Sequence, residues 1–167
     1  LDGARVQIHK SGDTVRIYSR RLTDITKSFP EIVRLILNEV RADEAIFEGE
    51  IIAVGEKGYP LPFQHLMRRF RRVHDIREIT EKIPVELYLF DLIYLNGQSL
   101  IVDTYVERRK KLGEIAGGIP LTKQIITGNP REAERFLREA IDNGHEGLVA
   151  KKLDSPYTLG IRGKRWF

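Results

Sequence analysis

The sequence predicts an α+β domain built mainly on antiparallel sheets and flanked by helices. Two observations support this prediction. Segments in which apolar and polar residues alternate outnumber segments with helical spacing, and the two kinds follow one another without a regular strand–helix–strand repeat. With 167 residues, of which 41% are hydrophobic and 31% charged, the chain is long enough for one domain with a buried core.

Five segments have the pattern of β-strands. Residues 4–17 alternate on both sides of a Lys-Ser-Gly-Asp turn and therefore predict a hairpin. Residues 45–54 alternate as a single strand, and residues 85–95 form a strongly apolar strand that ends at an Asn-Gly turn pair. Two shorter strands are predicted over residues 121–127 and 146–152.

Four further segments are candidates for helices. Residues 32–40 and 105–116 have helical spacing, and residues 63–73 predict a basic helix or a turn region. The fourth has the clearest boundaries. Asn129 is a suitable N-cap, Pro130 occupies the first helical position, and Glu132 is placed to complete a capping box. Gly144 is the expected stop.

Composition excludes several classes of site. The chain has no cysteine, so it has neither disulfides nor thiolate metal sites. Its four histidines lack zinc-ligand spacing, and no apolar run approaches the ~20 residues of a membrane span. A net charge of +4 is compatible with nucleic-acid binding, but a solvated basic surface explains it equally well.

Three side chains are candidates for ligand contact from strand alternation. Glu48 and Glu50 lie on one face of their strand, where they could bind sugar hydroxyls or a metal, or simply pair with lysines on an exposed face. Phe90 shares a predicted face with Tyr88 and Leu92, and it either stacks on a base or packs in the core. A glycine-rich phosphate loop and a nucleophile elbow are both missing from the sequence.

Short motifs occur in a specific order along the whole chain. They are Leu-Asp-Gly-Ala-Arg at 1–5, Ser-Arg at 19–20, Phe-Glu-Gly-Glu at 47–50, Leu-Phe-Asp-Leu-Ile-Tyr-Leu-Asn-Gly at 89–97, Glu-Gly-Leu-Val-Ala-Lys at 146–151 and the run from Tyr157 to Arg162. In this order they resemble the motifs of ATP-dependent DNA ligases of the archaeal and eukaryotic replicative type, which are covalent nucleotidyltransferases. The resemblance implies the nucleotidyltransferase fold.

The resemblance also implies a reaction and a domain organisation. ATP adenylates a lysine, Mg²⁺ assists, and AMP then activates the 5′-phosphate of a nick for attack by the 3′-hydroxyl. The nucleophilic lysine would stand immediately before Leu1, and the paired lysines of the fifth motif would follow Phe167. Residues 1–167 are thus expected to be one adenylation domain, inactive alone, without the DNA-binding and oligonucleotide-fold domains that flank it in such ligases.

Each motif residue takes the role of its family counterpart. Phe90 would stack on adenine, Val149 would close the other face of the base, and Glu50 would accept hydrogen bonds from the ribose hydroxyls. Arg5 would contact the ribose and the reacting phosphate, and Lys151 would also bind the nucleotide. These roles are implied by the resemblance alone, because strand alternation is equally compatible with a purely structural role for each side chain.

The remaining roles concern phosphate and metal. Arg20 and Arg162 would hold phosphate oxygens, for which a planar guanidinium is well suited. Glu146 would help to bind Mg²⁺, and Asp2 would orient the lysine or the metal. Simple alternation places Lys151 and Glu146 on opposite faces of their predicted strand.

The expected partner is nicked double-stranded DNA, with a sliding clamp reached through the absent domains. A monomer without membrane attachment is expected, cytoplasmic if archaeal and nuclear if eukaryotic. Two other functions stay open. One is an RNA ligase or capping-type nucleotidyltransferase, which shares the first motif. The other is a nucleotide-binding module without catalysis, because the nucleophilic lysine is missing from the sequence.

Overall fold

A computed structural model of the chain describes residues 3–70 and 76–159. Its centre is a five-stranded sheet in the order β2-β1-β3-β4-β5. The strands are β1 (Ala4–Ser11), β2 (Thr14–Ser19), β3 (Glu44–Ala53), β4 (Val85–Leu95) and β5 (Gln98–Ser99). Every pair of neighbouring strands in this sheet is antiparallel, so the predicted α+β class is confirmed.

Helices lie between and beside the strands. They are α1 (Pro30–Glu39), α2 (Phe63–Phe70), α3 (Ile76–Lys82), α4 (Tyr105–Ile115) and α5 (Pro130–Asp142), with 3-10 turns at Thr26–Ser28 and Glu56–Gly58. Within the described ranges no helix has the length and apolar character that crossing a membrane requires.

The two faces of the sheet differ in chemistry because side chains alternate along each strand. One face carries the core, in which Val6 and Ile8 of β1 pack with Phe47 and Ile51 of β3. The other face carries the polar residues of the same strands. Helices α1, α2 and α4 contact β2, β3 and β4 respectively. The predicted hairpin and the predicted strand at 85–95 are confirmed.

Two irregularities in the pairing of β3 with β4 correct the predicted surroundings of Phe90. Ile46 pairs with Tyr94 but Phe47 with Leu92, and Glu48 pairs with Asp91 but Gly49 with Leu89, so the register shifts between Ile46 and Phe47 and again between Glu48 and Gly49. Each shift moves the following residues to the opposite face. Leu92 therefore lies in the core, whereas Phe90 does not. The prediction from simple alternation that Phe90 and Leu92 share a face is wrong.

Helix boundaries agree with the prediction more closely than the caps do. Asn129 does cap α5, but its side chain accepts a hydrogen bond from Arg131 N and not from Glu132 N. The predicted capping box between Asn129 and Glu132 therefore does not form. The complete box is at α4, where Thr104 accepts from Glu107 N and Glu107 accepts from Thr104 N. The spacing Thr-x-x-Glu at 104–107 was the sequence signal for it.

Two short strands were predicted wrongly. In segment 121–127 only Leu121 forms a bridge, to Leu89 of β4, and in segment 146–152 only Lys151 is assigned to a bridge. Both segments have strand-like patterning, but a strand also requires a neighbouring backbone to complete a ladder. Segment 63–73, predicted as a basic helix or a turn region, is helix α2 as far as Phe70, and its last three residues lie outside the described residues.

Candidate nucleotide site

A row of polar side chains crosses the sheet on the face opposite the core. The register pairs Arg5 with Glu50 and Gln7 with Glu48 between β1 and β3, and it pairs Glu48 with Asp91 between β3 and β4. Residues paired across antiparallel strands point to the same face. Arg5 and Gln7 alternate with core residues along β1 and therefore lie on the polar face. There they stand opposite Glu50 and Glu48 of β3, respectively.

Glu48 is the buried centre of this row, with 4% of its side chain exposed. Its Oε2 accepts from Arg5 Nε at 2.7 Å and lies 2.5 Å from an Arg5 Nη atom. Its Oε1 accepts from Gln7 Nε2 at 3.1 Å and from the Tyr157 hydroxyl at 2.9 Å. A buried carboxylate is tolerated when it is paired and hydrogen bonded, and Glu48 meets both conditions.

The contacts with Glu48 and the burial of the cluster shift the pKa values of Arg5 and Tyr157. Burial alone would lower the pKa of the Arg5 guanidinium, but the Glu48 carboxylate outweighs burial and raises that pKa. Burial, and then the negative charge of Glu48, raises the pKa of the Tyr157 hydroxyl. At neutral pH, therefore, Arg5 is charged and Tyr157 is a neutral hydrogen-bond donor.

A second buried ion pair lies beside the first. Arg108 donates through Nε to Asp91 Oδ1 at 2.8 Å and through Nη2 to Oδ2 at 3.0 Å, and both side chains are 0% exposed. Arg108 Nη1 also donates to the carbonyl oxygens of Asp103 and Ser155. The pair thereby connects α4, β4 and the segment that leads to Tyr157.

Helix α4 holds β4 at the irregularity that contains Phe90. Arg109 Nη1 donates to the Leu89 carbonyl at 3.2 Å, and the Tyr105 hydroxyl donates to the Phe90 carbonyl at 3.4 Å. Together with the ion pair of Asp91, these contacts reach three consecutive residues of β4. The backbone at the irregularity is thus supported by side chains of α4 in addition to the ladder of β3.

Two cations contact the half-buried ring of Phe90. Lys151 Nζ lies 4.5 Å from the ring centroid of Phe90 and 4.7 Å from that of Tyr105. The guanidinium carbon of Arg5 lies 5.7 Å from the Phe90 centroid. Distances below about 6 Å are those of cation–π contacts. An aromatic face, two cations and a carboxylate row therefore meet at one place on the sheet.

The ammonium group of Lys151 loses its proton at a lower pH than that of an ordinary lysine. Burial, opposed in part by Asp91 and reinforced by the positive charges of Arg109, Arg5 and Arg108, lowers the pKa of its ammonium to about 8. The positive charge of Lys151 is consequently sensitive to pH in a range where the arginines do not titrate.

The structure brings together four of the residues predicted from the sequence, namely Arg5, Glu50, Phe90 and Lys151. Three others are at the surface. Arg20 is exposed in the turn after β2, Glu146 is exposed after α5, and Val149 is 62% exposed. Asp2 and Arg162 lie outside the described residues.

A metal site is not preformed in the part of the chain that the structure describes, since no three His, Asp or Glu residues there are grouped to hold an ion. Glu48 forms an ion pair with Arg5, and Asp91 forms one with Arg108. The exposed carboxylate of Glu146 could still bind Mg²⁺ together with phosphate oxygens of a ligand, which is a usual mode for this ion.

Sequence reasoning missed several members of the cluster: Gln7, Asp91, Tyr105, Arg108, Arg109 and Tyr157. Two signals were present. Gln7 follows Arg5 at strand spacing, so it shares the face of Arg5. Tyr105, Arg108, Arg109 and Leu112 recur at helical spacing, so the two arginines lie on the inward stripe of α4 and are both buried. The partners of these residues could not be read from either pattern.

Two solved ligase structures share this fold. The ligase domain of M. tuberculosis LigD matches 99% of this chain over 50% of its own length, with a TM-score of 0.76 and 27% identity. A mycobacterial DNA ligase D complexed with ATP and MES matches with a TM-score of 0.73 and 26% identity, again over 99% of this chain and 50% of its own length. The antiparallel sheet and its flanking helices are thus the architecture of ATP-dependent ligase domains.

The sequence comparison identifies the family. The model of the ATP-dependent DNA ligase domain matches residues 1–167, and the chain belongs to this family. DNA ligases of Thermococcus fumicolans and Korarchaeum cryptofilum are each 52% identical to 99% of the chain, and that of Methanopyrus kandleri is 47% identical to 99% of it. The chain spans about 30% of the length of these curated relatives.

Proposed function

We propose that the chain is the adenylation domain of an ATP-dependent DNA ligase that seals nicks in duplex DNA. The observation that carries the proposal is the contact of Phe90 with Lys151 and Arg5 beside the carboxylates of β3. A ring can stack on a base, and cations beside it can neutralise the attached phosphate. The family match and the ATP complex of a related ligase D support adenine as the base.

Each residue at this site has a distinct part in the proposal. Phe90 stacks on adenine, and Glu50, on the face of Arg5, accepts hydrogen bonds from the ribose hydroxyls. Arg5 and Lys151 contact the α-phosphate region. Val149, whose side chain is exposed, covers the second face of the base.

Residues at the margin of the site complete the proposal. Arg20 and Arg162 hold phosphate oxygens, and the exposure of Arg20 in the turn after β2 supports a contact with the phosphate of a nick. Glu146 helps to hold Mg²⁺, which when bound neutralises charge on the phosphates. Asp2 orients the nucleophilic lysine or the ion.

The proposed chemistry transfers an adenylyl group. A neutral lysine amine attacks the α-phosphorus of ATP, forms the phosphoramidate to AMP and releases pyrophosphate as the bond between the α- and β-phosphates breaks. A 5′-phosphate oxygen of the nick displaces the lysine, and the 3′-hydroxyl then displaces AMP to form the phosphodiester. In this proposal the described residues bind the nucleotide and orient it for that attack.

Equilibrium titration of the chain with ATP, AMP, GTP and NAD⁺ tests the proposal. ATP and AMP are expected to bind, and GTP and NAD⁺ to bind at least about tenfold more weakly, a difference of about 1.4 kcal/mol. GTP binding as tight as ATP binding would favour the capping-type alternative. If none of the four binds, the nucleotide site itself is refuted.

The pH dependence of AMP binding is a further expected result. Lys151 loses its charge as pH rises through and above about 8, whereas the AMP phosphate is already a dianion there. The affinity for AMP should therefore fall between pH 7 and 9.5, with a midpoint above 8 because the bound anion stabilises the ammonium. Titrations of AMP at several pH values measure this fall.

The Lys151→Arg variant is the matched control because arginine stays charged throughout this range. Its AMP affinity should be nearly constant from pH 7 to 9.5. The same decline in both proteins would show that another group causes it. Stability gives an independent check: at Lys151 the unfolded state binds more protons than the folded state between about pH 8 and 10.5, so the contribution of this residue to stability increases with pH there.

The parent protein is proposed to act on nicked double-stranded DNA as a monomer and to reach a sliding clamp through domains outside this chain. Archaeal DNA ligases among the relatives support a cytoplasmic location.

A further inference from the structure

The carboxylate of Glu48 on β3 is held on both oxygens by residues of two other segments, β1 and the segment of Tyr157. Arg5 of β1 occupies Oε2, whereas Gln7 of β1 and Tyr157 occupy Oε1. The last torsion of a glutamate side chain has a broad energy minimum, so one partner alone would leave the carboxylate plane free to rotate. The two neutral donors on Oε1 fix this plane and thereby leave Oε2 for the guanidinium.

Gln7 is itself fixed by a further contact. Its amide oxygen lies 2.8 Å from His9 Nε2, and the His9 ring packs edge-on against Tyr18 at 5.0 Å between centroids. Since the histidine nitrogen donates to the amide oxygen, the amide NH₂ group faces Glu48. A line of hydrogen bonds therefore runs along β1 from His9 to Glu48.

Tyr157 brings the third segment to the same carboxylate across 109 residues of sequence. Its own backbone N–H donates to the Ile101 carbonyl at 2.8 Å, and its ring lies 5.8 Å from the guanidinium carbon of the buried Arg108. These contacts fix the tyrosine, so its hydroxyl has a defined position relative to β3.

We propose that Gln7 and Tyr157 are positioning residues of the nucleotide site, which fix Glu48 so that the Arg5 guanidinium is directed at the phosphate of a nucleotide stacked on Phe90. The inference rests on the proposed function. Arg5 lies 5.7 Å from the Phe90 ring, so its orientation decides whether it reaches a phosphate attached to a base on that ring. The two residues act through Glu48 and Arg5, without touching the ligand.

The comparison of AMP with adenosine tests this role, because the two ligands share the base and the ribose and differ in the phosphate. Dissociation constants for both are measured with the unmodified chain, Tyr157→Phe and Gln7→Met. Each variant removes a donor to Glu48 while it keeps a similar shape. AMP affinity is expected to fall about 3- to 10-fold, the scale of one ordinary hydrogen bond because the effect reaches the phosphate only indirectly, and adenosine affinity to change less than about twofold.

Tyr59→Phe is the matched control, since Tyr59 is 70% exposed and also loses only a hydroxyl. It should bind both ligands as the unmodified chain does. Equal losses for AMP and adenosine in Tyr157→Phe and Gln7→Met would indicate a general structural role and overturn the inference, as would unchanged AMP affinity. If Tyr157→Phe fails to fold, Gln7→Met decides the question alone, because Gln7 is a half-buried strand residue.

These outcomes are separable from a failure of the proposed function. Absence of AMP binding by the unmodified chain refutes the nucleotide site and the positioning role together. Normal AMP binding by the unmodified chain, with an unchanged ratio of AMP to adenosine affinity in both variants, refutes the positioning role and leaves the nucleotide site in place.

Discussion

Replacement of Arg108 by alanine is expected to lower the free energy of unfolding by about 3–5 kcal/mol, the usual loss when one partner of a buried ion pair is removed. Asp91 would be left charged at 0% exposure, and the carbonyls of Asp103 and Ser155 would lose their donor. Small domains have only about 5–15 kcal/mol of stability in total. Urea denaturation of the two proteins measures the loss.

Two further variants show whether the burial of the ion pair is the cause. Arg138→Ala breaks an exposed pair with Glu134 and should cost less than about 0.5 kcal/mol. The double replacement of Arg108 by Met and Asp91 by Leu removes both charges and should recover most of the stability, even where Arg108→Ala does not fold. A loss in Arg108→Ala no larger than that of Arg138→Ala would refute the expected role of the pair.

The largest expected effect on binding comes from Phe90→Ala. A stacked base contributes about 1–3 kcal/mol, so the affinity for AMP should fall roughly 5- to 150-fold. Phe90 is only partly buried and is not a member of the hydrophobic core, so the melting temperature should change little. Titration with AMP and a thermal melt of the same samples separate the two effects.

Phe90→Trp is the matched variant for this prediction, because it keeps an aromatic face at the same position. Its AMP affinity should stay close to that of the unmodified chain. Phe47→Ala gives the opposite pattern, since Phe47 is fully buried in the core and its truncation should cost about 3–5 kcal/mol of stability. AMP binding by Phe90→Ala within twofold of the unmodified chain would rule out stacking on this ring.

Local patterns predicted most of the secondary structure because they need no information about distant residues. Alternation located the β1–β2 hairpin, β3 and β4, and the residues around Pro130 located α5. The capping box was misplaced because Asn129 and Glu132 have suitable residue types, but the backbone directs them to other partners. The same limit explains the strands wrongly predicted at 121–127 and 146–152, whose patterns do not specify a pairing partner.

Only some residues of the candidate site were predicted from the sequence, and they were predicted from different kinds of pattern. Glu50 and Phe90 were candidates from strand alternation, and the order of short motifs added Arg5 and gave all three a role. Antiparallel pairing puts Arg5 and Glu50 on one face, and Arg5 also contacts the Phe90 ring. Lys151 was placed ambiguously by alternation, yet the structure brings its ammonium to the Phe90 ring. Tyr157 was quoted only as part of a motif, although it binds the same carboxylate as Arg5.

The sequence by itself determined the fold class, the alternation that separates a polar face from the core, and the membership of a ligase-like motif order. Only the tertiary structure decided the register shifts beside Phe90, the buried pair of Asp91 with Arg108, and the donors of Glu48. The physical reason is range. Alternation and capping act over a few residues, whereas the partners of these buried charges stand 17 to 109 residues away and are selected by packing and desolvation.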